Sequence, residues 1–80
     1  MDRKTVLIDY IKNEIMRNRN AKLSEEEDLL SSGILDSLAI LQLVAYVDEQ
    51  FGIEVPDQDV VYENFNSVKS LTEYLKQYPS

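Results

Sequence analysis

The 80-residue sequence predicts an all-α protein: a small four-helix bundle of three main helices and a short third one, with a long first loop. Three observations carry that expectation. Apolar residues recur at three- and four-residue steps in three separate stretches, the period of a helix with one buried face. No stretch alternates apolar and polar residues in the manner of a half-buried strand. The stretches are also punctuated by residues that start or stop helices, namely Asp36 and Asn66 ahead of two of them and Gly52 behind one. With 44% hydrophobic and 29% charged residues the chain can bury a core. Eighty residues suffice for one core and not for two, so residues 1–80 read as a single domain.

The first helix rests on Leu7, Ile8, Ile11 and Ile15, with Lys4, Lys12, Asn13 and Arg17 on other faces. It is expected from about Arg3 to Asn18. Residues 18–36 then form a long connection, in which the apolar pairs Leu29-Leu30 and Ile34-Leu35 are expected to pin the chain to the core. Glu25-Glu26-Glu27-Asp28 reads as an exposed turn with Ser24 as its cap. It lacks the alternating ligands, central glycine and terminal glutamate of an EF-hand loop, so a solvated face is expected there and not a calcium site.

The second helix is expected from Ser37 to Phe51. Asp36 is placed as its N-cap, Leu35 and Ile40 have the spacing of a hydrophobic staple, and Gly52 ends it. Ile40, Val44, Val47 and Phe51, with Leu43 beside them, mark the core face. Leu38, Leu41 and Ala45 are left over on another side, surrounded by Gln42, Asp48 and Glu49, and read as a docking strip for a protein partner. Beyond Gly52, Ile53 to Pro56 reads as extended, followed by a short helical turn from Asp57 or Asp59 through Tyr62. Asn66 is expected to cap a final helix from about Ser67 to Gln77, with Val68, Leu71, Leu75 and Tyr78 inward and Tyr74 adjacent.

Composition excludes most chemistry. Cysteine and histidine are absent, which removes disulfides, thiolate or imidazole metal sites and the usual general base. Only two glycines exist, so there is no phosphate-cradling loop, and nothing brings Lys69 or Lys76 to Ser37 as an activating base. No catalytic residue and no metal ligand is expected, and the protein is not read as an enzyme. No apolar run approaches the length of a membrane span and no signal-peptide core follows the N-terminus, so a cytoplasmic protein without membrane insertion is expected. The net charge of −7 is uneven: residues 1–22 carry +3 and the remainder −10. Such a surface repels nucleic acid and favours basic protein partners. Within it, Ser37 stands at the first helical position with its hydroxyl released from capping, a plausible point of attachment.

Glu27-Asp28-Leu29, Gly33-Ile34-Leu35-Asp36-Ser37-Leu38 and Val47-Asp48-Glu49-Gln50-Phe51-Gly52-Ile53-Glu54-Val55-Pro56-Asp57 resemble the acyl carrier proteins. The likeness extends from the first helix to Val68, Leu71, Tyr74 and Leu75. It implies a four-helix bundle whose serine, Ser37 here between Asp36 and Leu38, bears 4′-phosphopantetheine transferred from coenzyme A by a phosphopantetheinyl transferase. It implies that the arm's thiol holds an acyl group as a thioester. It further implies docking of loading enzymes and downstream synthases or transferases on the second helix, at Asp36, Ala39, Leu41, Gln42, Ala45, Asp48 and Glu49, with Val60 of the short third helix as an addition. Ala39 and Gln42 stand where bacterial fatty-acid carriers usually have acids, Leu-Asp replaces the Gly-His of peptidyl carriers, and the segment from Pro56 to Val68 is about two residues longer. A discrete, monomeric carrier of a specialised pathway is therefore expected. An aminoacyl, peptidyl or D-alanyl-type carrier is the alternative, and an unmodified acidic interaction module is the alternative from another class.

Overall fold

The computed structural model describes residues 2–79. The chain forms α1 (Arg3–Tyr10), which continues as a wider π-type turn over Ile11–Ile15, then α2 (Ser37–Phe51), α3 (Tyr62–Phe65) and α4 (Val68–Leu75). A single 3₁₀ turn, Asp57–Asp59, precedes α3, and there is no strand among the described residues. The expected all-α bundle with one short helix is what the structure shows.

Asp2 starts α1, its carboxylate accepting from the Thr5 amide at 2.7 Å. The helix ends three residues earlier than expected. The Met16 amide reaches back to the Ile11 carbonyl at 2.7 Å, five residues away, and Asn18 reaches back to Lys12 at 2.8 Å. Between them Arg17 turns left-handed at φ 55, a conformation that closes a helix and cannot continue it. The turn nevertheless keeps Leu7 and Ile11 fully buried on the inward face.

The inward face of α2 consists of Ala39, Leu43 and Val47; Ile40, Val44 and Phe51, expected at its centre, flank it half-buried. The stripe is rotated because Ala39, too small to weigh in a helical wheel, lies on the same side as Leu43 and Val47 at four-residue steps. Gly52 ends the helix as expected, left-handed at φ 66, with its amide donating to the Asp48 carbonyl at 2.9 Å. Ile53 and Val55 then bury alternate side chains of an extended segment and turn Glu54 outward.

α4 starts one residue later than expected. Asn66 keeps helical dihedrals as the residue closing α3, whereas Ser67 is extended and its Oγ accepts from the Ser70 amide at 3.0 Å. Val68, Leu71 and Leu75 are buried, and Tyr74 and Tyr78 pack half-buried at the edge. Phe65 of α3, Leu29 and Leu35 of the long loop and the inward faces of the helices share one core. Full burial of a leucine is worth about 1.5–3 kcal/mol. For a chain whose whole stability is about 4–12 kcal/mol, each of these contacts is a sizeable fraction.

Candidate functional site

The long loop is not loose. The Lys69 amide donates to the Glu25 carbonyl at 2.8 Å, the Leu29 amide to Asn66 at 2.7 Å and the Leu35 amide to Leu29 at 2.9 Å. Leu29 and Leu35 are buried and Leu30 and Ile34 pack half-buried against the core, so both apolar pairs pin the loop as expected. The left-handed Gly33, at φ 83, lets the chain reverse between these two anchors. Leu35 thereby delivers Asp36 and Ser37 to the surface at a fixed place.

At the helix start Asp36 is extended, and its Oδ1 accepts from the Ala39 amide at 2.8 Å. The carboxylate thus supplies the cap, as the sequence indicates. Ser37 is exposed as the first helical residue, and its hydroxyl makes no hydrogen bond among the described residues. The free amides of a first helical turn and the positive end of a 15-residue helix favour a phosphate at this position. The serine therefore fits a phosphodiester. The Asp36 charge opposes one, and it is partly offset by the bond to Ala39.

The outer face of α2 is open. Leu38 and Leu41 are each 65% exposed, and Gln42, Ala45, Asp48 and Glu49 are exposed around them. Two residues expected on this surface are elsewhere. Ala39 is only 6% exposed and belongs to the core, because its position puts the methyl group on the inward stripe. Val60 is not on α3; it lies between the 3₁₀ turn and α3 with non-helical dihedrals and packs half-buried against the core. Beside the strip, Tyr10 of α1 stacks on Tyr46 of α2 with ring centroids 3.8 Å apart. Burial, followed by the charges of Glu14 and Glu49, pushes the Tyr10 phenol up. A shallow groove of Tyr10, Glu14, Arg17, Gln42, Ala45, Tyr46 and Glu49 extends the outer face of α2 towards α1.

Asp28 departs from the solvated face expected of its acidic run. Glu26 and Glu27 are exposed, and Glu25 pairs with Lys4 at 2.6 Å. Asp28 instead accepts from the Leu30 and Ser31 amides at 3.2 and 2.9 Å, from Ser31 Oγ at 3.0 Å and from the Tyr62 hydroxyl at 2.6 Å. The Ser31 amide, then the Tyr62 hydroxyl, hold its carboxyl below the usual range, and Asp28 in turn raises the Tyr62 phenol. Sequence reasoning missed this pair because its members are 34 residues apart. The 2-residue lengthening around Tyr62-Glu63-Asn64-Phe65 was the only available signal that something distinctive sits there. A second such bond joins the Tyr74 hydroxyl to Asp59 Oδ2 at 2.6 Å; burial and that bond push the Tyr74 phenol up.

Among the described residues no cluster of histidine, cysteine, aspartate or glutamate could hold a metal ion, and no helix is long and apolar enough to cross a membrane. Residues 6–75 match the phosphopantetheine attachment site family. The chain is 34% identical over 53 residues to a D-alanyl carrier protein of Streptococcus uberis, covering 66% of this chain and 67% of that protein. It is 35% identical over 57 residues to an acyl carrier protein of Buchnera aphidicola, covering 71% and 70% respectively. A chain in a crystal structure described as that of an FAD-dependent dehydrogenase superposes with a TM-score of 0.76 and 33% identity, over 85% of this chain and 96% of that one. The matched span runs from within α1 to the end of α4 and includes the Asp36-Ser37 step, and the protein belongs to the family of phosphopantetheine-dependent carrier proteins, which carry cargo without catalysing its chemistry.

Proposed function

We propose that Ser37 is the residue that bears 4′-phosphopantetheine and that the outer face of α2 receives the enzymes that load and unload the arm. The observation that carries this reading is the division of roles at the helix start: Asp36 caps at 2.8 Å, and the Ser37 hydroxyl is exposed and unengaged. Once attached, the group supplies a terminal thiol that holds an acyl or aminoacyl cargo as a thioester. The chain's own residues fix and present it. Asp36 orders the first turn, Leu35 anchors the entry, and the N-terminal amides of α2 face the phosphate position.

Docking rests on charge and on apolar contact. Asp36, Asp48 and Glu49 attract basic surfaces, while Leu38, Leu41 and Ala45 provide the contact that excludes water. Gln42 lies on the same face and adds a neutral hydrogen-bonding group. Leu38 thus belongs both to the motif around Ser37 and to the strip. Ala39 and Val60 have no part in this surface. Modifying and loading enzymes are the partners that the carrier family implies in general.

Two further observations bear on cargo and partner. D-alanyl carrier proteins of streptococci and of Enterococcus faecalis recur among the relatives, the last at 33% identity over 80% of this chain. They support an aminoacyl cargo as the second reading beside a general acyl one. The superposed chain in the FAD-dependent dehydrogenase structure is shorter than this one, which is carrier size. That supports a flavin enzyme acting on tethered cargo as one partner class.

The deciding test is intact-mass measurement after incubation with coenzyme A, magnesium and a broad-specificity phosphopantetheinyl transferase. The wild-type chain is expected to gain one phosphopantetheinyl group and Ser37→Ala none. An unchanged wild-type mass, or the same gain in Ser37→Ala, overturns the assignment.

A further inference from the structure

The Asp28–Tyr62 bond has a different standing from the other phenol–carboxylate bond of the bundle. Both are 2.6 Å long and both hold the segment between the 3₁₀ turn and α4. Tyr74 to Asp59 ties the 3₁₀ turn to α4. Tyr62 to Asp28 ties it to the loop that leads to Ser37. The connection can be followed bond by bond. Asp28 organises the next turn through the Leu30 and Ser31 amides, and its own carbonyl accepts from the Ser32 amide at 3.0 Å. Leu29, the neighbour of Asp28, donates to Asn66 at the end of α3 and accepts from Leu35. Leu35 precedes the cap residue Asp36. The rim of this frame is in water, with Tyr62 half exposed, so its order depends on hydrogen bonds more than on burial.

We infer that Asp28 and Tyr62 are positioning residues for Ser37: the phenol on α3 fixes the turn of the long loop, and the turn fixes where the hydroxyl is offered. The inference rests on the reading of Ser37 as the attachment point. Neither residue touches the reacting hydroxyl, so their loss slows transfer without abolishing it. Asp59 and Tyr74 act as the internal control, for they make the same kind of bond without touching the turn that Asp28 organises.

The test is the steady-state rate of phosphopantetheine transfer to the full chain from coenzyme A by a phosphopantetheinyl transferase, with the carrier as varied substrate. Tyr62→Phe keeps the ring and removes the bond, and is expected to lower kcat/KM about three- to tenfold. Tyr74→Phe is expected to leave kcat/KM within about twofold of wild type while lowering thermal stability. Adding Tyr62→Phe to Asp28→Ala is expected to cause no further loss, because Asp28 is the acceptor of the Tyr62 hydroxyl. A further loss in that background means that the transferase grips Tyr62 directly and overturns the inference. So does wild-type kcat/KM in Tyr62→Phe, or an equal loss in Tyr74→Phe, which marks general loosening. Should Asp28→Ala not fold, faster amide exchange at Leu30 and Ser31 in Tyr62→Phe, with α2 core amides unchanged, takes its place; unchanged loop exchange overturns the inference. Loading of Ser37→Ala would instead refute the attachment site and leave the loop geometry untouched.

Discussion

Two helices of this protein have a serine at their start, one as cap and one as first helical residue, and the two serines have opposite fates. Ser67 is the N-cap of α4: its Oγ accepts from the Ser70 amide at 3.0 Å, lies 3.1 Å from Ser70 Oγ, and the residue is buried. Ser37 stands one position further into its helix, and the residue before it does the capping. That single step decides availability. A capping serine is consumed by the backbone, whereas one that follows an aspartate cap is presented in a rigid frame with nothing to bind. The residue type carries no information about function; its register against the cap does.

The largest effect is expected at Asp36. Asp36→Ala removes the cap and is expected to cost about 1 kcal/mol of stability, within a range of about 0.5–2. It also frees the first turn, so transfer to Ser37 should fall with it. Asp36→Asn keeps a capping oxygen and removes only the charge; stability should be nearly wild type, with slower association of basic partners. Thermal melts read the first effect and loading kinetics the second. Ser67→Ala is expected to cost a similar amount of stability, about 4–8 °C in Tm for a chain of this size, and to leave loading of Ser37 unchanged.

Smaller effects sharpen the picture. Leu41→Glu changes an exposed residue, so Tm should hold while binding to a partner enzyme drops. Association through Asp36, Asp48 and Glu49 should slow as ionic strength rises from about 0.01 M to 0.1 M, where the screening length shrinks from about 30 Å to about 10 Å. A rate indifferent to salt would leave the apolar contact of Leu38, Leu41 and Ala45 as the whole interaction. The smallest effect is in acid. The Asp28 carboxyl is depressed in the folded chain, chiefly by the Ser31 amide. Its contribution is present above the unfolded value near 3.8 and lost as pH falls through the lower folded value. Following the Asp28 carboxyl resonance should show titration below 3.8, moving upward in Tyr62→Phe.

These contrasts also show what a sequence discloses and what it withholds. Asp36 and Gly52 were legible because a cap acts on backbone groups three or four residues away, an amide for Asp36 and a carbonyl for Gly52, within one window of sequence. The exposed strip of Leu38, Leu41 and Ala45 was legible from helical period alone. The exact centre of the buried face was not, since Ala39 owes its place to closeness of packing and not to hydrophobic weight. Asn66 and Ser67 are both good caps, and the choice depended on where α3 ends, which the sequence does not mark. Arg17 offered no hint of a left-handed turn, for arginine has no preference for one. Asp28 looked like one acid among four until its partner, 34 residues on, was in place. Local physics is readable; pairing across the fold is not.

The Arg3 guanidinium donates to the carbonyls of Leu75 at 2.6 Å and Tyr78 at 3.0 Å and lies 5.6 Å over the Phe51 ring. It gathers the beginning of α1, the end of α4 and the last residue of α2 at one pole. Ser37 is at the other end of α2, about 22 Å away along a 15-residue helix. The start of α1 and the end of α4 therefore lie at the pole remote from Ser37. A purification tag joined at that pole is expected to leave transfer to Ser37 at the wild-type rate, which the loading assay checks.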